Sequence, residues 1–479
     1  MRRTFFAVSV ATTIATLAAA TGTAHAAGLY FSDRGVRPLG RGGAFVAGAD
    51  DIGATWYNPA GLADAGDSFL LDASWLNFSA EFTRKTQVTD AGGTVRTYQY
   101  PTVDGSTPFI PLPTIGISKA FGKQKQFTFA FSIYVPYTPV VSYPEKVNGL
   151  PAPSRYSVIN AEGSALAIPG VYFAWKPIEQ FRVGAGVQLL AGKFNSYQVL
   201  TANPSDRLIG APEDPHYDTY TKLSATIISP SGTLGIIAEP IKLLRFGLSF
   251  QLPFWINAPA TNNVRLPDAA IFDKAYQDGT GETVKFRLPP IIRVGVQISP
   301  ELGDGQVLKA ELSYVREFWS MHDSIDINHE DFKLRGVTGF PDPFKFANIS
   351  IPRNFQDSNS FRLGVEYTRK APIANATMTF RGGMAFETSA VPKEYVSPLS
   401  TDADKISPGI GFGMTFGGRL RIDAMFSHIF AFAPDVDPAE AKVPRINPAS
   451  GYPTQTEAIN GGSYSFRANI LGLGMEYKY

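Results

Sequence analysis

Leu244-Arg245-Phe246-Gly247-Leu248-Ser249-Phe250-Gln251-Leu252 sets Leu or Phe at every second position and Arg, Gly, Ser or Gln between them. Successive side chains of a strand point to opposite faces, so this stretch, once extended, has one apolar face and one small or polar face. The texture returns where Ile292, Val294, Val296 and Ile298 alternate with Arg293, Gly295 and Gln297, and where Phe361, Leu363, Val365 and Tyr367 alternate with Arg362, Gly364, Glu366 and Thr368. A soluble all-β protein also alternates, but its interior is the apolar set. Here the polar set carries Arg182, Arg245, Arg293, Arg362, Arg381 and Arg421. Unpaired, these guanidinium groups are costly in a packed core and tolerable in a wet lumen, which predicts lipid outside and a polar lumen inside.

Weaker versions of the pattern predict strands at 68–83, 112–121, 126–137, 166–176, 181–192, 222–238, 242–253, 285–299, 306–317, 358–368, 376–387, 407–416, 418–430 and 463–479. The gaps alternate in length. Gly122 to Lys125, Pro177 to Gln180, Glu239 to Ile241, Pro300 to Gly305 and Gly417-Gly418 are short, and Arg369 to Asn375 is moderately so. The gaps 84–111, 138–165, 193–221, 254–284, 318–357 and 431–462 are long. Short turns on one side and long loops on the other mark an outer-membrane barrel, short turns periplasmic. The expectation is an all-β fold: a transmembrane antiparallel β-barrel of about 14 strands. Tyr479, in frame with Leu471, Leu473, Met475 and Tyr477, gives the last strand the aromatic ending that barrel assembly machinery reads.

The chain opens with Arg2 and Arg3, an apolar stretch from Phe5 to Ala20 and Thr23-Ala24-His25-Ala26, which reads as a signal peptide over residues 1–26. No later segment approaches the roughly 20 apolar residues of a spanning helix. Forty-five Gly, 35 Phe and 20 Tyr suit a barrel, whose apolar face is hidden in every second residue. With no cysteine, thiolate metal sites and thiol catalysis are excluded, and a formal charge of +1 offers no field for nucleic acid. Gly40 to Gly43 is no phosphate loop, since no Gly-Lys-Ser/Thr follows, and no cofactor is expected.

Before the first strand lies a Gly- and Ala-rich stretch containing Ala27-Gly28-Leu29-Tyr30, Gly40-Arg41-Gly42-Gly43-Ala44, Asp50-Asp51 and Asn58-Pro59-Ala60-Gly61-Leu62. Its order and spacing resemble the amino-terminal hatch of the FadL family of fatty-acid and hydrocarbon transporters. The likeness recurs in Val135-Pro136-Tyr137, in Ile351 to Asp357, with Phe355 where Trp is common, and in Gly461-Gly462-Ser463-Tyr464. The resemblance implies a hatch over 27–66 plugging the lumen of a barrel over 67–479, in the outer membrane of a Gram-negative bacterium. It implies passive uptake of a hydrophobic small molecule, long-chain fatty acids first and aromatic hydrocarbons second. Ligand would be captured in the extracellular loops and pass to a lumen pocket at Ala27 and Leu29. It would then leave sideways through an opening in the third strand at Val135 and Pro136, with Asn58, Pro59, Ala60 and Gly61 as exit gate and Gly40, Arg41 and Gly42 as the hatch turn. Arg182, Arg245, Arg293, Arg362 and Arg381 are candidate grips for a carboxylate headgroup. Further implied partners are the bilayer, lipopolysaccharide and the outer-membrane assembly machinery, with the protein a monomer.

Phe109, Ile110, Leu112 and Leu150 are candidates for an apolar capture groove among the loops, since about 0.8 kcal/mol per buried methylene needs only a greasy surface and one polar anchor. A polar porin is the rival reading, opposed by the hatch. A lipid hydrolase needs a Ser with a partnered His, and no Gly-x-Ser-x-Gly elbow exists, so no enzyme is expected. His322, Asp323, Asp326, His329 and Glu330 fit neither a calcium loop nor a zinc motif and read as a solvated loop, with no metal site.

Overall fold

The computed structural model describes residues 25–26, 33–89, 92–107, 110–137, 141–203, 213–373, 375–448 and 458–479. Fourteen antiparallel strands close into one barrel. They begin with β1 (Ser68–Thr89), β2 (Ile110–Phe121), β3 (Phe127–Tyr137), β4 (Ala165–Ile178), β5 (Phe181–Thr201) and β6 (Asp218–Ile241). Four follow in two runs each: β7 (Leu244–Gln251, Phe254–Arg265), β8 (Gly281–Leu288, Ile291–Ile298), β9 (Gln306–Glu317, Ser324–His329) and β10 (Ile349–Pro352, Ser358–Lys370). β11 (Ala376–Glu387), β12 (Lys405–Phe416), β13 (Leu420–Ala431) and β14 (Gly462–Lys478) complete the wall. The seam closes where β1 pairs with β14, from Ser68↔Lys478 to Arg84↔Gly462.

At membrane depth the alternation faces as expected. Phe246 and Leu248 are each 42% exposed and Leu363 50%, while Arg293 and Arg362 are 1% exposed. The strands, however, run on into stretches expected to be loops. β6 has 24 residues, more than twice the roughly 9–11 a strand needs to cross a bilayer. Its alternation also changes phase. Ile228, Leu234 and Ile236 point out to lipid, whereas Leu223, Ala225 and Ile227 point in and Lys222 and Thr226 point out. Above the bilayer the outside is water, so the apolar set moves to the inside. Expected over 222–238, the strand runs from Asp218 to Ile241 across that change of phase.

The lumen at the periplasmic half holds the hatch, a chain of short turns: α1 (Val36–Leu39), α2 (Ala54–Tyr57), a 3-10 turn Pro59–Gly61 and α3 (Leu62–Ala65). Almost all of it is buried against the wall. Such close seating is possible because glycines of the strands face it. A Cβ on Gly184 would lie 2.3 Å from the Pro59 carbonyl carbon, and one on Gly247 would lie 2.5 Å from the Val46 oxygen.

Candidate functional site

Ion pairs fasten the hatch to the wall. Arg37 donates from Nε and Nη2 to Glu366 of β10 at 3.0 and 2.9 Å, and from Nη1 to Asp50 and Asp51 of the hatch. Asp51 also receives Arg421 of β13 at 2.8 Å, and Lys309 of β9 reaches Asp50 at 2.7 Å. Burial alone would raise Asp50, yet Arg37 and Lys309 outweigh it and hold the carboxyl well below the usual range. Glu311 of β9 accepts the consecutive amides of Val46, Ala47 and Gly48 at 2.6, 3.0 and 2.8 Å. A carboxylate binding backbone amides leaves no side-chain trace in the hatch sequence, and for this reason Glu311 escaped notice.

The inward arginines are therefore packed and paired, not solvated as a wet lumen implies. Arg182 and Arg245 both hold Asp64 at 2.9 Å, Arg362 pairs with Asp33 and Glu387, and Arg381 bridges Glu366 and Asp423 at 2.8 and 2.7 Å. Arg293 differs: it donates to Gln251 at 3.5 Å, sits 6.0 Å from the Trp56 ring centre, and leaves Nη1 without a hydrogen-bond partner. Hatch residues supply part of the counter-charge, which the strand pattern could not reveal.

Asn58 is fully buried and works in two directions. Its Oδ1 accepts Ala60 N at 3.2 Å, capping the 3-10 turn, while Nδ2 donates to Val46 O at 3.0 Å and to Ile236 O of β6 at 3.1 Å. Asn58 to Gly61 thus lie against β5 and β6. It is Thr55 and Trp56 that meet β3, through Ser132 (3.0 Å) and the Tyr134 ring (5.2 Å). In the turn at Gly40 to Gly43, Arg41 is fully buried beside Gln297 and Glu311, and Gly42 takes φ +64° with Met384 N 2.3 Å from a would-be Cβ. Leu29 and Ala27 lie outside the described residues, as do residues 1–24 of the expected leader. His25–Ala26 run parallel to Ser389–Ala390.

The wall has a break. β3 pairs with β2 only up to Thr114↔Tyr134, while β2 continues along β1 to Leu76↔Ile110. On its other edge β3 pairs Tyr134↔Ile168 and Tyr137↔Leu166, so Val135 and Pro136 together oppose Ala167 in a bulge. Pro111 and Pro113 of β2 and Pro169 of β4 remove further ladder donors. Just inside, Val36, Leu39, Leu76, Leu112 and Ile470 form an apolar cluster with Val135 packed on it. A space of about 300 Å³ opens there, lined by Gly35, Leu39, Leu76, Leu112 and Ile470 together with Arg34 and Ser74.

A second, larger space of about 610 Å³ lies among the extracellular tips, lined by Leu200, Val264, Phe272, Phe332, Phe340, Phe344, Phe346 and Ile349, with Asn262 and His329. Leu112 and Leu150, named for a capture groove, do not line it. Leu112 points into the lumen beside the wall break, Leu150 is 65% exposed, and Phe109 lies outside the described residues. Four Phe within Phe332 to Phe346 of one long loop were the available sequence signal. From this pocket Ile349, Ile351, Ile327, Val284 and Ile256 continue one packed cluster down to Trp56 and Tyr57 of the hatch.

The stretch 322–330 is not a solvated loop. Ser324–His329 is a strand, and His322 is 5% exposed with Nδ1 donating to Arg287 O at 2.8 Å, where burial, with Arg353 beside it, pushes its pKa down to about 4. No cluster of three or more possible metal ligands occurs among the described residues. His216, His322, His329 and His428 pair with Asp214, the Arg287 carbonyl, Glu282 and Asn469 respectively.

Residues 17–479 match the sequence profile of the family described as outer membrane protein transport protein (OMPP1/FadL/TodX). Among solved structures the barrel is similar to a Pseudomonas aeruginosa FadL homologue, with a TM-score of 0.68 at 16% identity over 94% of this chain and 99% of that one. It is also similar to the Ralstonia pickettii toluene transporter TbuX, with a TM-score of 0.57 at 18% identity over 94% and 99%. The Pseudomonas putida toluene transporter TodX gives 0.59 at 13% over 96% and 100%. No curated protein matches the sequence.

Proposed function

The chain belongs to the OMPP1/FadL/TodX family of outer-membrane transport proteins, and from that premise we propose that it takes up hydrophobic small molecules passively and releases them sideways into the bilayer. Long-chain fatty acids are the substrate we assign, after removal of residues 1–26 and with 27–66 as hatch and 67–479 as a monomeric barrel. The observation that carries the reading is the loss of strand pairing at Val135–Pro136 beside the apolar cluster of Val36, Leu39, Leu76, Leu112 and Ile470. Ligand enters the outer aromatic pocket, follows the apolar interior of the extended strands, and reaches the break as the hatch shifts. About 0.8 kcal/mol per buried methylene makes each stage favourable for an alkyl chain. Arg293, with an unpartnered nitrogen, is the inward arginine best able to touch a carboxylate. Asn58 to Gly61 act as the latch through Ile236, and the packed interior opposes a water-filled porin.

Aromatic hydrocarbons are the second reading, favoured by the five Phe rings of the outer pocket. Uptake of radiolabelled oleate and of toluene, compared between the natural chain and one lacking Pro136 at matched surface expression, tests both. Deleting Pro136 leaves one residue opposite Ala167 and restores the ladder. Uptake that falls for one ligand supports lateral exit and names the substrate; undiminished uptake rejects the exit, and passage of small sugars instead of either ligand points to a porin.

A further inference from the structure

The outer pocket is mostly apolar; its polar residues are Thr201, Thr219 and Thr221 of β5 and β6 together with Asn262 and His329, behind which lies Glu282. Glu282 is fully buried as a side chain and His329 is 7% exposed. One carboxylate oxygen, Glu282 Oε1, lies 3.2 Å from Asn262 Nδ2 and 2.8 Å from His329 Nδ1. An ionised carboxylate only accepts, so it draws the Asn262 amide hydrogens and the His329 Nδ1 proton toward itself. The opposite ends of both groups, Asn262 Oδ1 and, in the neutral ring, the Nε2 lone pair of His329, are then acceptors within the residues that line the pocket. Both atoms are buried and neither has a hydrogen-bond partner, and Glu282 Oε2 is likewise unmatched. Buried polar atoms normally find partners, so a cluster of unmet acceptors in one pocket describes the ligand that fits it.

We propose that Asn262 and His329 select a hydrophobic ligand that presents an O–H donor: an alkyl chain or aromatic ring ending in a hydroxyl or an un-ionised carboxyl group. This rests on the outer pocket being the capture site. A bare hydrocarbon leaves the acceptors unmet, and an ionised carboxylate would meet acceptors and the Glu282 charge. The pocket thus separates neutral hydroxylated hydrophobes from both, and a fatty acid enters it un-ionised.

The test is equilibrium binding of tritiated decanol, decane and, at mildly alkaline pH, decanoate to the full-length barrel in lipid nanodiscs. The natural protein is expected to favour decanol over each of the others by about tenfold, the worth of one buried hydrogen bond. His329→Phe and, independently, Asn262→Leu are expected to erase most of the preference over decane while decane binding holds. The barrel's resistance to unfolding in detergent without heating confirms that each variant is folded, and either folded variant suffices. Decanoate binding as well as decanol, or variants that lose decanol and decane in parallel, overturns the selection while leaving the capture pocket in place. Failure of all three ligands to bind overturns the capture pocket and the selection with it.

Discussion

Arg37 of the hatch and Glu366 of β10 meet fork to fork, with two parallel hydrogen bonds of 3.0 and 2.9 Å. Both side chains are almost wholly shielded, and Asp50 and Asp51 crowd the same guanidinium. One planar group thus contacts three carboxylates across the boundary between plug and wall, sharing their charge with Lys309, Arg421 and Arg381. Removing it strands buried negative charge, so Arg37→Ala is expected to weaken hatch docking by about 3–5 kcal/mol. Arg37→Lys should recover little, because an ammonium cannot make the paired contact. Ion conductance in planar bilayers is the measurement: stable openings in both variants are expected, and conductance as low as the natural chain's would contradict the role.

Gly235 and Asn58 are a second close pair. A Cβ at Gly235 would lie 2.0 Å from Asn58 Oδ1, so Gly235→Ala forces the hatch off β6 at a cost of about 1–3 kcal/mol. Asn58→Ala removes the obstructing oxygen, and the double variant should be less damaged than the two single effects summed. A thermal unfolding cycle that proves additive would separate the two residues.

Acid should spare the pairs that Asp50 and Asp51 make. Burial acts to raise Asp50, but Arg37 and Lys309 prevail and leave it well below the usual carboxylate range, as Arg37 and Arg421 also leave Asp51 below it. A depressed pKa contributes stability above the unfolded value of 3.8 that is lost only as pH falls through the folded one. Conductance is therefore expected to stay closed from neutral pH down to 5, and opening within that window would contradict the pairing.

His322 works in the opposite part of the scale. Burial, aided by Arg353, lowers it from 6.5 to about 4, so the unfolded chain binds the proton first as pH drops. Stability is full well above 6.5 and erodes toward 4, by about 1.4 kcal/mol at pH 5.5. His322→Asn, which keeps a donor for the Arg287 carbonyl without titrating, should flatten that part of the profile of melting temperature against pH.

The wall was legible because lipid imposes one rule on every crossing: apolar residues at alternate positions. Leu244 to Leu252 and Phe361 to Thr368 obey it and face as read. The rule lapses where strands leave the bilayer. The upper end of β5 shows it: expected to stop at 192, the strand runs on through Lys193 to Thr201, where no lipid-facing alternation marks it. At the hatch, sequence placed Asn58, Arg41 and Asp50-Asp51 in the right segment but could not name partners hundreds of positions away. Asn262, Glu282 and His329 belong to three different strands and become neighbours only through register.

The seam between β1 and β14 bears on how the molecule comes to exist. Hatch residues 33–66 are synthesised first, yet Glu311, Glu366, Arg421 and their neighbours arrive at the other end of the chain. Bringing such distant segments together costs loop-closure entropy before any contact repays it. The plug must therefore wait, unsecured, while most of the cylinder is laid down, and be gathered inside before the last strand zips to the first. A chain that sealed β1 to β14 ahead of this capture would be a finished pore with its stopper left in the periplasm, so the order of assembly decides whether the outer membrane gains a transporter or a leak.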